Sequence, residues 1–425
     1  MAGWWVARKP MGNLFKIALR NLRRYKRRSA LTVSLIAFGV IFVLVFVAVT
    51  ASIKDFMIAQ ITDSYLGDLQ IHRAGYVASI ESLPLNLNLT PEGASAIEKV
   101  LGGLKEVESY SERIKFGALF SNFTETTNIR INGVYPEKEF ATCSQMLSRI
   151  SQGEKSVRAL ERGKILVPSL LARGFGVKIG DTVVVVATNK DGSVNGKTFL
   201  VSGILESATG PGGRDGYIHF EDAREILRLP GKEVSEIAVA VKSLGRVQEV
   251  AQSIRGGLGL GEKKQKGGGL EVHTWSELSP FANIARMIDV MTFFIKLMLI
   301  AIVLISILNV MIMAVYERVR EIGTIAAIGT LPRKILSLFL VEGFCLGLTG
   351  AVVGVLLGLG IIFVLNLSKI TFDFGQTTGL ILAPTIDPLE VIMASIMVIA
   401  VSVLASLQPA YKASRMEPID ALRHV

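Results

Sequence analysis

The sequence has few of the residues that build metal, disulfide and catalytic sites. It contains two cysteines, Cys143 and Cys345, and four histidines scattered along 425 residues. Cys345 lies inside a long apolar run and Cys143 in a polar region, and no CxxC pair is present. This distribution excludes a disulfide framework and a cysteine-based zinc site, so we predict no metal site.

Motifs for hydrolysis and nucleotide binding are absent as well. Neither HExxH nor GxSxG occurs, which argues against a metalloprotease or a serine hydrolase. The nearest match to a P-loop is VNGKTF, but a P-loop needs a glycine five positions before Gly196, and that position is Asp191. We therefore predict no catalytic residues, no cofactor and no ATPase site in this sequence.

Long apolar runs are what the sequence has instead. Half of its residues are apolar, and four runs reach the roughly 20 residues that cross a bilayer. These runs cover residues 30–53, about 290–315, about 335–367 and about 389–411. The first is too long for the apolar core of a signal peptide. We predict an α-helical membrane protein with four transmembrane helices and a large α+β domain inserted between the first and the second.

Positive charge is concentrated next to these runs. The net charge is +10, and residues 1–28 alone contain nine lysines and arginines and no acid. Segments 316–336 and 411–425 are also basic on balance, which leaves the remainder slightly acidic. By the positive-inside rule, both termini and the 316–336 segment lie in the cytoplasm, with the domain of residues 54–286 outside. A charge that follows the membrane topology argues against a nucleic-acid partner.

Residues 1–28 have the pattern of a helix at the membrane surface. Leu14, Ile17, Ala18 and Leu22 share one helical face, with basic residues around the rest. We predict a cytoplasmic amphipathic helix that rests on lipid, the alternative being a basic flank that only fixes topology. Residues 29–53 then form the first span.

The domain of residues 54–286 mixes strand and helix signals. GDLQIHRAGY and NIRINGVY alternate in polarity like strands, and TPEGASAIEKVLGGL has a Thr90 cap followed by Pro91. Residues 164–205 predict a short helix followed by two strands, which would form a small β-rich subdomain. The glycine-rich segment 255–269 predicts a flexible loop.

Both ends of this domain have helical patterns that continue into the adjacent spans. The residues after position 53 are compatible with a helix, and the apolar positions Phe281, Ile284 and Ile288 have helical spacing from Thr274 onward. We predict two stalk helices that carry the domain and transmit motion of the spans to it.

The third predicted span carries a stripe of small residues. At 100° per residue its glycines fall within about 80° of one another. They are Gly343, Gly347, Gly350, Gly354 and Gly358. Such a stripe predicts close helix packing in lipid, the alternative being glycines that are merely tolerated there. Glu342 lies in the same span, where an unpaired charge is costly, so it either faces a partner helix or is solvated near the headgroups.

A charged, helix-patterned segment, YERVREIGTIAAIGTLPRKI, separates the second and third spans. One helical face holds Val315, Val319, Ile322, Ala326 and Gly329, and the other holds Arg318, Glu321, Thr324 and Ile325. Gly329 to Pro332 ends the helix. We predict a short amphipathic helix at about residues 317–329 that docks a cytoplasmic motor protein, with a turn resting on lipid as the alternative.

Three stretches of the sequence together carry a family signature. The first stretch has the motif Arg-Glu-Ile-Gly, followed by Ala-x-Gly and by a helix with a glutamate and spaced glycines. The matching residues are Arg320, Glu321, Ile322, Gly323, Ala327, Gly329, Ile335, Glu342, Gly350 and Gly354. QPAYKASRMEPIDALR near the C-terminus and ALRNLRRYKRRSALT before the first span complete it. The sequence thereby resembles the FtsX/MacB-type permeases of mechanotransmitting ABC transporters, and its layout is most similar to the lipoprotein-releasing LolC/LolE permeases. One departure is Ala326, where the family often has a basic residue.

The resemblance implies a multi-pass protein of the bacterial inner membrane, with a MacB-like periplasmic domain at 54–286 and an FtsX-like permease domain at 287–425. It also implies a second permease chain, identical or not, and a cytoplasmic ABC ATPase. The ATPase would contact the coupling helix through Glu317, Arg320, Glu321, Ile322, Gly323, Ala327 and Gly329. Because the sequence has no Walker motif, we expect the ATPase on another chain, and its cycle would move the periplasmic domain.

Three functions remain open from the sequence. The leading one is release of lipoprotein or other hydrophobic cargo from the inner membrane to a periplasmic carrier. The second is efflux of small molecules or peptides through a periplasmic adaptor. The third is activation of a periplasmic enzyme without transport.

Overall fold

A computed structural model describes residues 10–206, 211–260, 269–374 and 377–417. The chain divides into two compact units, Met1–Asp55 with Arg286–Val425, and Phe56–Ala285. The helices are α1 Pro10–Arg24, α2 Lys26–Ile61, α3 Pro91–Gly102, α4 Pro136–Thr142, α5 Ser169–Phe175, α6 Phe220–Leu227, α7 Val247–Gly257, α8 Trp275–Leu278, α9 Phe281–Glu317, α10 Val319–Ala327, α11 Pro332–Ser368 and α12 Pro388–Ser414. The strands are β1 Leu69–Arg73, β2 Val107–Ser121, β3 Thr126–Val134, β4 Ile150–Gly153, β5 Lys164–Pro168, β6 Thr182–Thr188, β7 Val194–Leu205, β8 Asp215–His219, β9 Glu236–Val241, β10 Leu270–Thr274, β11 Thr371–Phe374 and β12 Thr377–Ile381.

Four helices, α2, α9, α11 and α12, are long and apolar enough to cross a membrane. Each extends beyond the apolar run predicted from the sequence. Their apolar residues lie all round the helix, which is typical of helices surrounded by lipid and by one another. The shared core takes side chains from all four, among them Ile36, Val40, Leu44, Val303, Ile307, Met311, Phe339, Leu346, Val398 and Ala405.

The basic segment before the first span is helix α1, and a single residue, Tyr25, separates it from α2. Ala18 is buried and Leu22 is half-buried, whereas Phe15 and Ile17 are exposed. An exposed apolar strip on a basic helix is the surface expected of a helix at a membrane interface. The side chain of Leu14, which we assigned to the same face, lies outside the described residues.

The unit of residues 56–285 is built on one ten-stranded sheet with the order β10-β1-β9-β2-β3-β8-β5-β7-β4, and β6 pairs with β2 and β7. The β3–β8 and β5–β7 pairs are parallel. Helices α3, α6 and α7 contribute buried side chains to the same core as the strands. Thr90 caps α3 by accepting a hydrogen bond from the Gly93 amide, and Pro91 occupies its first turn, as the sequence predicts.

Residues 164–205 differ from the expectation of a separate subdomain. Their strands β5, β6 and β7 belong to the ten-stranded sheet, since β5 also pairs with β8 and β6 with β2. The sequence analysis missed β5, because KILVP is a five-residue run whose partners lie far away in the chain. Short apolar runs of this kind do not distinguish strand from helix by periodicity.

The helical pattern from Thr274 onward is also interrupted. Helix α8 ends at Leu278, and α9 begins at Phe281 directly after Pro280. Proline lacks an amide hydrogen and favours the start of a helix over its interior, which fits the break between the two helices at Pro280. On the other side, α2 continues to Ile61 and one wide helical turn follows at Thr62–Leu66. Residues 261–268 of the predicted flexible loop lie outside the described residues.

Candidate functional site

The charged segment between the second and third spans forms the separate helix α10. Helix α9 ends at Glu317, and Arg318 leaves the helical conformation with φ −115° and ψ 16°. After α10, Gly329 has φ +91°, a left-handed conformation that glycine adopts at little cost. Pro332 then starts α11. Two breaks of the backbone thus fix a nine-residue helix between the spans.

One face of α10 packs into the helical bundle. Val319 and Ile322 are buried, and so is Gly323. Ile322 belongs to the apolar core that the four long helices share. Of the residues predicted to contact an ATPase, Ile322 and Gly323 therefore lie on the inner side and support the helix.

The other face of α10 is open. Glu317, Arg320, Ala327 and Gly329 are exposed, and Glu321 is half-exposed. Ile328, which follows the helix, exposes 80% of its side chain surface and is an apolar residue without cover from this chain. Ile325 and Leu331 are exposed as well, and exposed apolar surface bordered by charged groups is typical of an interaction site.

Glu342 lies inside the bundle beneath α10 and is only 1% exposed. Its carboxylate contacts two guanidinium groups: Arg318 Nη1 lies 3.2 Å from Oε2, and Arg28 Nη2 lies 3.7 Å from Oε1. Arg28 comes from the start of α2, so three separate segments meet at one carboxylate. Of the two sequence alternatives, the structure agrees with a residue that faces partner segments.

Further charges extend this arrangement to the surface. Arg28 also contacts Glu317 at 2.9 Å, and Arg318 Nε contacts Glu321 at 3.2 Å. We refer to Arg24, Tyr25, Arg28, Glu317, Arg318, Glu321 and Glu342 as the charged cluster. Arg24 reaches Glu321 at 3.4 Å.

Tyr25, the residue between α1 and α2, is the aromatic centre of the charged cluster. The guanidinium carbons of Arg28, Arg318 and Arg24 lie 5.3, 5.5 and 5.8 Å from the centre of its ring. Cations within about 6 Å of an aromatic ring are attracted to its face. The ring therefore helps three positive charges to share a small space.

Arg318 corrects one sequence prediction. Helical spacing placed it on the exposed face with Glu321, yet it is only 6% exposed and points to Glu342. Helical spacing does not apply because Arg318 lies at the break between α9 and α10. The sequence analysis also did not identify Tyr25 or Arg28, since their partners are about 300 residues away and only their basic, aromatic neighbourhood was visible.

The first part of the glycine stripe of α11 faces α12. A methyl group added to Gly343 would lie 2.7 Å from Ser406 Cβ, and one added to Gly347 would lie 2.6 Å from Ser402 Cβ. Both distances are shorter than carbon atoms tolerate. Small residues on both helices therefore allow the two backbones to approach closely.

The second part of the stripe faces α2. An added Cβ at Gly350 would lie 2.6 Å from Ile36 Cβ, and one at Gly354 would lie 2.6 Å from Val40 Cβ. Gly358 is less crowded, with Leu44 Cδ1 at 3.2 Å. The stripe thus packs α11 between two helices of the same chain.

Ion pairs also join the spans at the end that leads to the sheet. Lys54 Nζ lies 2.6 Å from Asp289 Oδ1, which connects α2 to α9. Lys296 Nζ lies 3.6 Å from Glu390 Oε1, which connects α9 to α12. Lys296, a charge within the second span, thus has an acidic partner on the fourth.

The sheet unit has a buried ionic cluster of its own. Arg113 lies 2.8 Å from Glu139 and 3.0 Å from Glu236, and Lys115 lies 2.7 Å from Glu236. Burial acts to raise the pKa of the Glu236 carboxyl, but Lys115, His72 and Arg113 hold it well below its usual range. These groups neutralise one another, and within the described residues no group of histidine, cysteine or acidic side chains is arranged to hold a metal ion.

A cleft of about 420 Å³ opens beside this cluster. Its lining includes Tyr65, Ile80 and Leu83 together with the charged groups of Lys115 and Arg130. Both cations already have acidic partners, Glu236 for Lys115 and Asp215 for Arg130. The cleft therefore presents apolar surface together with charges that are paired within the sheet unit.

Comparison with known proteins gives the class of this architecture. Residues 29–256 match the family described as the MacB-like periplasmic core domain, and residues 293–418 match the family described as the FtsX-like permease C-terminal. The chain is thus an ABC permease with four transmembrane helices and a large periplasmic α+β domain between the first and the second. It belongs to the FtsX/MacB-type permease family.

Two relatives show the range within this family. A protein of Bdellovibrio bacteriovorus named macrolide export ATP-binding/permease protein MacB is 26% identical over 99% of this chain and 63% of its own length. A Xylella fastidiosa protein named lipoprotein-releasing system transmembrane protein LolC is 25% identical over 69% of this chain and 72% of its own length. The chain therefore spans less than two thirds of the first relative and nearly three quarters of the second.

Proposed function

We propose that this permease couples ATP hydrolysis by a cytoplasmic ABC ATPase on another chain to movement of its periplasmic domain. The observation that carries the proposal is α10, a short helix with a buried face in the bundle and an exposed face that combines charged residues with Ile328. A helix fixed between two spans transmits force applied to its exposed face. The basic residues around α1 and α10 support a cytoplasmic position for this end and for both termini.

The connections between bundle and sheet support mechanical transmission. Helix α2 leads through Gly67 into β1, and α9 is preceded by β10 and α8. Strands β1 and β10 are paired, with Leu69 opposite Thr274. A relative shift of α2 and α9 would therefore act on two neighbouring strands of one sheet.

For the cargo, we propose lipoprotein or another hydrophobic molecule that is released from the inner membrane to a periplasmic carrier. The similarity to LolC over 72% of that protein supports this choice. Efflux of small molecules or peptides through a periplasmic adaptor is the second candidate, because the match to the MacB relative extends over 99% of this chain. In either case a second permease chain completes the assembly.

Purification from native membranes tests the proposal. The tagged protein is extracted in mild detergent, its partners are identified by mass spectrometry, and ATPase activity is measured. An ATPase together with lipoproteins or a lipid-binding carrier is the expected result. Co-purification of an adaptor and an outer-membrane channel would favour efflux. Co-purification of a periplasmic hydrolase without cargo would favour activation of a periplasmic enzyme. The absence of any ATPase would contradict the coupling role.

A further inference from the structure

We propose that Arg318 is a positioning residue that links the exposed acid Glu321 to the buried acid Glu342, so that a load on α10 reaches the third span directly. The inference rests on the proposed docking of an ATPase on α10. It adds the route by which docking acts on the bundle. The partner chemistry at the outer end is a cationic side chain of the ATPase that competes for Glu321.

The geometry of Arg318 carries the proposal. Its Nε contacts Glu321 at 3.2 Å and its Nη1 contacts Glu342 at 3.2 Å, so one rigid guanidinium holds both carboxylates. Guanidinium nitrogens have fixed relative positions, and displacement of one contact therefore displaces the other. Lysine, with a single ammonium group on a flexible chain, does not reproduce this arrangement.

Burial sets the direction of the effect. Glu321 is half-exposed and accessible to a partner, whereas Glu342 is only 1% exposed. A buried carboxylate keeps its cations because an uncompensated charge in a membrane protein is costly. If a partner's cation takes Glu321, Arg318 loses its outer contact and keeps the contact with Glu342.

Arg28 supplies the second half of the link. It lies 3.7 Å from Glu342 and 2.9 Å from Glu317, the last residue of α9. The same buried acid thus connects the start of α2 and the end of α9 to α11. A change at Glu342 would reach α2 and α9, the two helices that lead to β1 and β10.

The test compares Glu342→Gln, Arg318→Gln and the double variant in the full-length protein with its co-purified ATPase. Two quantities are measured: the amount of ATPase bound, and the difference in amide hydrogen exchange of β1 and β10 between complexes with ADP and with a non-hydrolysable ATP analogue. We expect the amount of ATPase bound to each single variant to stay within about 2-fold of that bound to the natural protein. The exchange difference of β1 and β10 should fall at least 5-fold. The double variant is expected to be no worse than either single one, because both remove the same link.

Glu390→Gln is the matched control, since it removes an ion pair at the other end of the bundle. It should change neither quantity by more than 2-fold. The proposal would be overturned by an unchanged exchange difference in Glu342→Gln. It would also be overturned if the reduction in the double variant equalled the product of the reductions in the two single variants. If Glu342→Gln does not accumulate in membranes, Arg318→Lys replaces it in the test. It should bind the ATPase normally and lose the exchange difference, and an unchanged exchange difference would overturn the proposal. Failure of the natural protein to bind an ATPase would instead contradict the proposed function.

Discussion

Asp68 lies between the wide helical turn that follows α2 and strand β1, and its charge is buried. It is 5% exposed, and its Oδ2 accepts a hydrogen bond from the Val241 amide at 2.7 Å. Burial raises the pKa of its carboxyl to about 6, although this hydrogen bond acts in the opposite direction. The folded protein therefore favours the protonated form at mildly acidic pH, whereas an unfolded chain ionises near pH 4.

This shift predicts a pH dependence of stability. A raised pKa in an acid stabilises the fold at low pH, and this contribution is lost as pH rises from about 4 to about 6. At about 1.4 kcal/mol per pKa unit, the loss is of the order of 3 kcal/mol. Asp68→Asn keeps an oxygen for the Val241 amide and should remove the contribution of Asp68 to the pH dependence of stability. Hydrogen exchange of β1 and β9 at pH 4.5 and pH 7 measures the change of stability with pH in the natural protein and in Asp68→Asn. An equal change in the two proteins would contradict the raised pKa of Asp68.

Individual residues also show the limit of sequence reasoning at this site. The sequence identified Glu342 as an unusual charge in a span and α10 as an amphipathic segment. It did not identify the partners of Glu342, because Arg318 and Arg28 belong to other segments and no periodicity relates them to it. The Arg28–Glu342 contact joins residues more than 300 positions apart, which only the packing of the spans determines.

At the scale of elements, α11 is held by close contact with α2. An added Cβ at Gly354 would lie 2.6 Å from Val40 Cβ and 2.9 Å from the Ala37 carbonyl oxygen. The same helix offers a control, because Gly360 has no atom of the described residues within 4 Å of an added Cβ. Gly354 and Gly360 lie on the same helix, but only Gly354 is packed closely against a neighbouring helix.

The prediction is that Gly354→Ala lowers the free energy of unfolding by about 1–3 kcal/mol, because the methyl group overpacks the α2–α11 contact. Gly360→Ala should stay within about 1 kcal/mol or stabilise slightly, since alanine favours helix. Thermal unfolding of both variants in the same mild detergent provides the comparison. Equal loss of stability in the two variants would show that the stripe is not a packing surface.

Elements differ in how far their sequences define them. The four spans and α3 follow from length, apolar pattern and the Thr90 cap. Strand β5 does not, because it becomes a strand only through β7 and β8, which follow it in the chain. Pro280 in the sequence indicates the break before α9. The sequence analysis gave more weight to the helical spacing of the apolar residues around it and predicted a continuous helix.

At the scale of the whole molecule, the permease is a bundle of spans and a large sheet that share two direct chain connections. The buried face of α10 and the charged cluster connect this helix to α2, α9 and α11. The connections of α2 and α9 then lead to the paired strands β1 and β10. These connections are the ones that the proposed movement of the periplasmic domain requires.

The most direct test of the central claim is photo-crosslinking from α10 in native membranes. A photoreactive residue replaces Ile328, which is 80% exposed beside the docking face, and in a parallel strain it replaces Ile179, an exposed isoleucine of the sheet unit. We predict that Ile328 captures a protein with nucleotide-binding motifs and that Ile179 does not. Capture of lipid alone at Ile328, or of the same ATPase at both positions, would contradict the account.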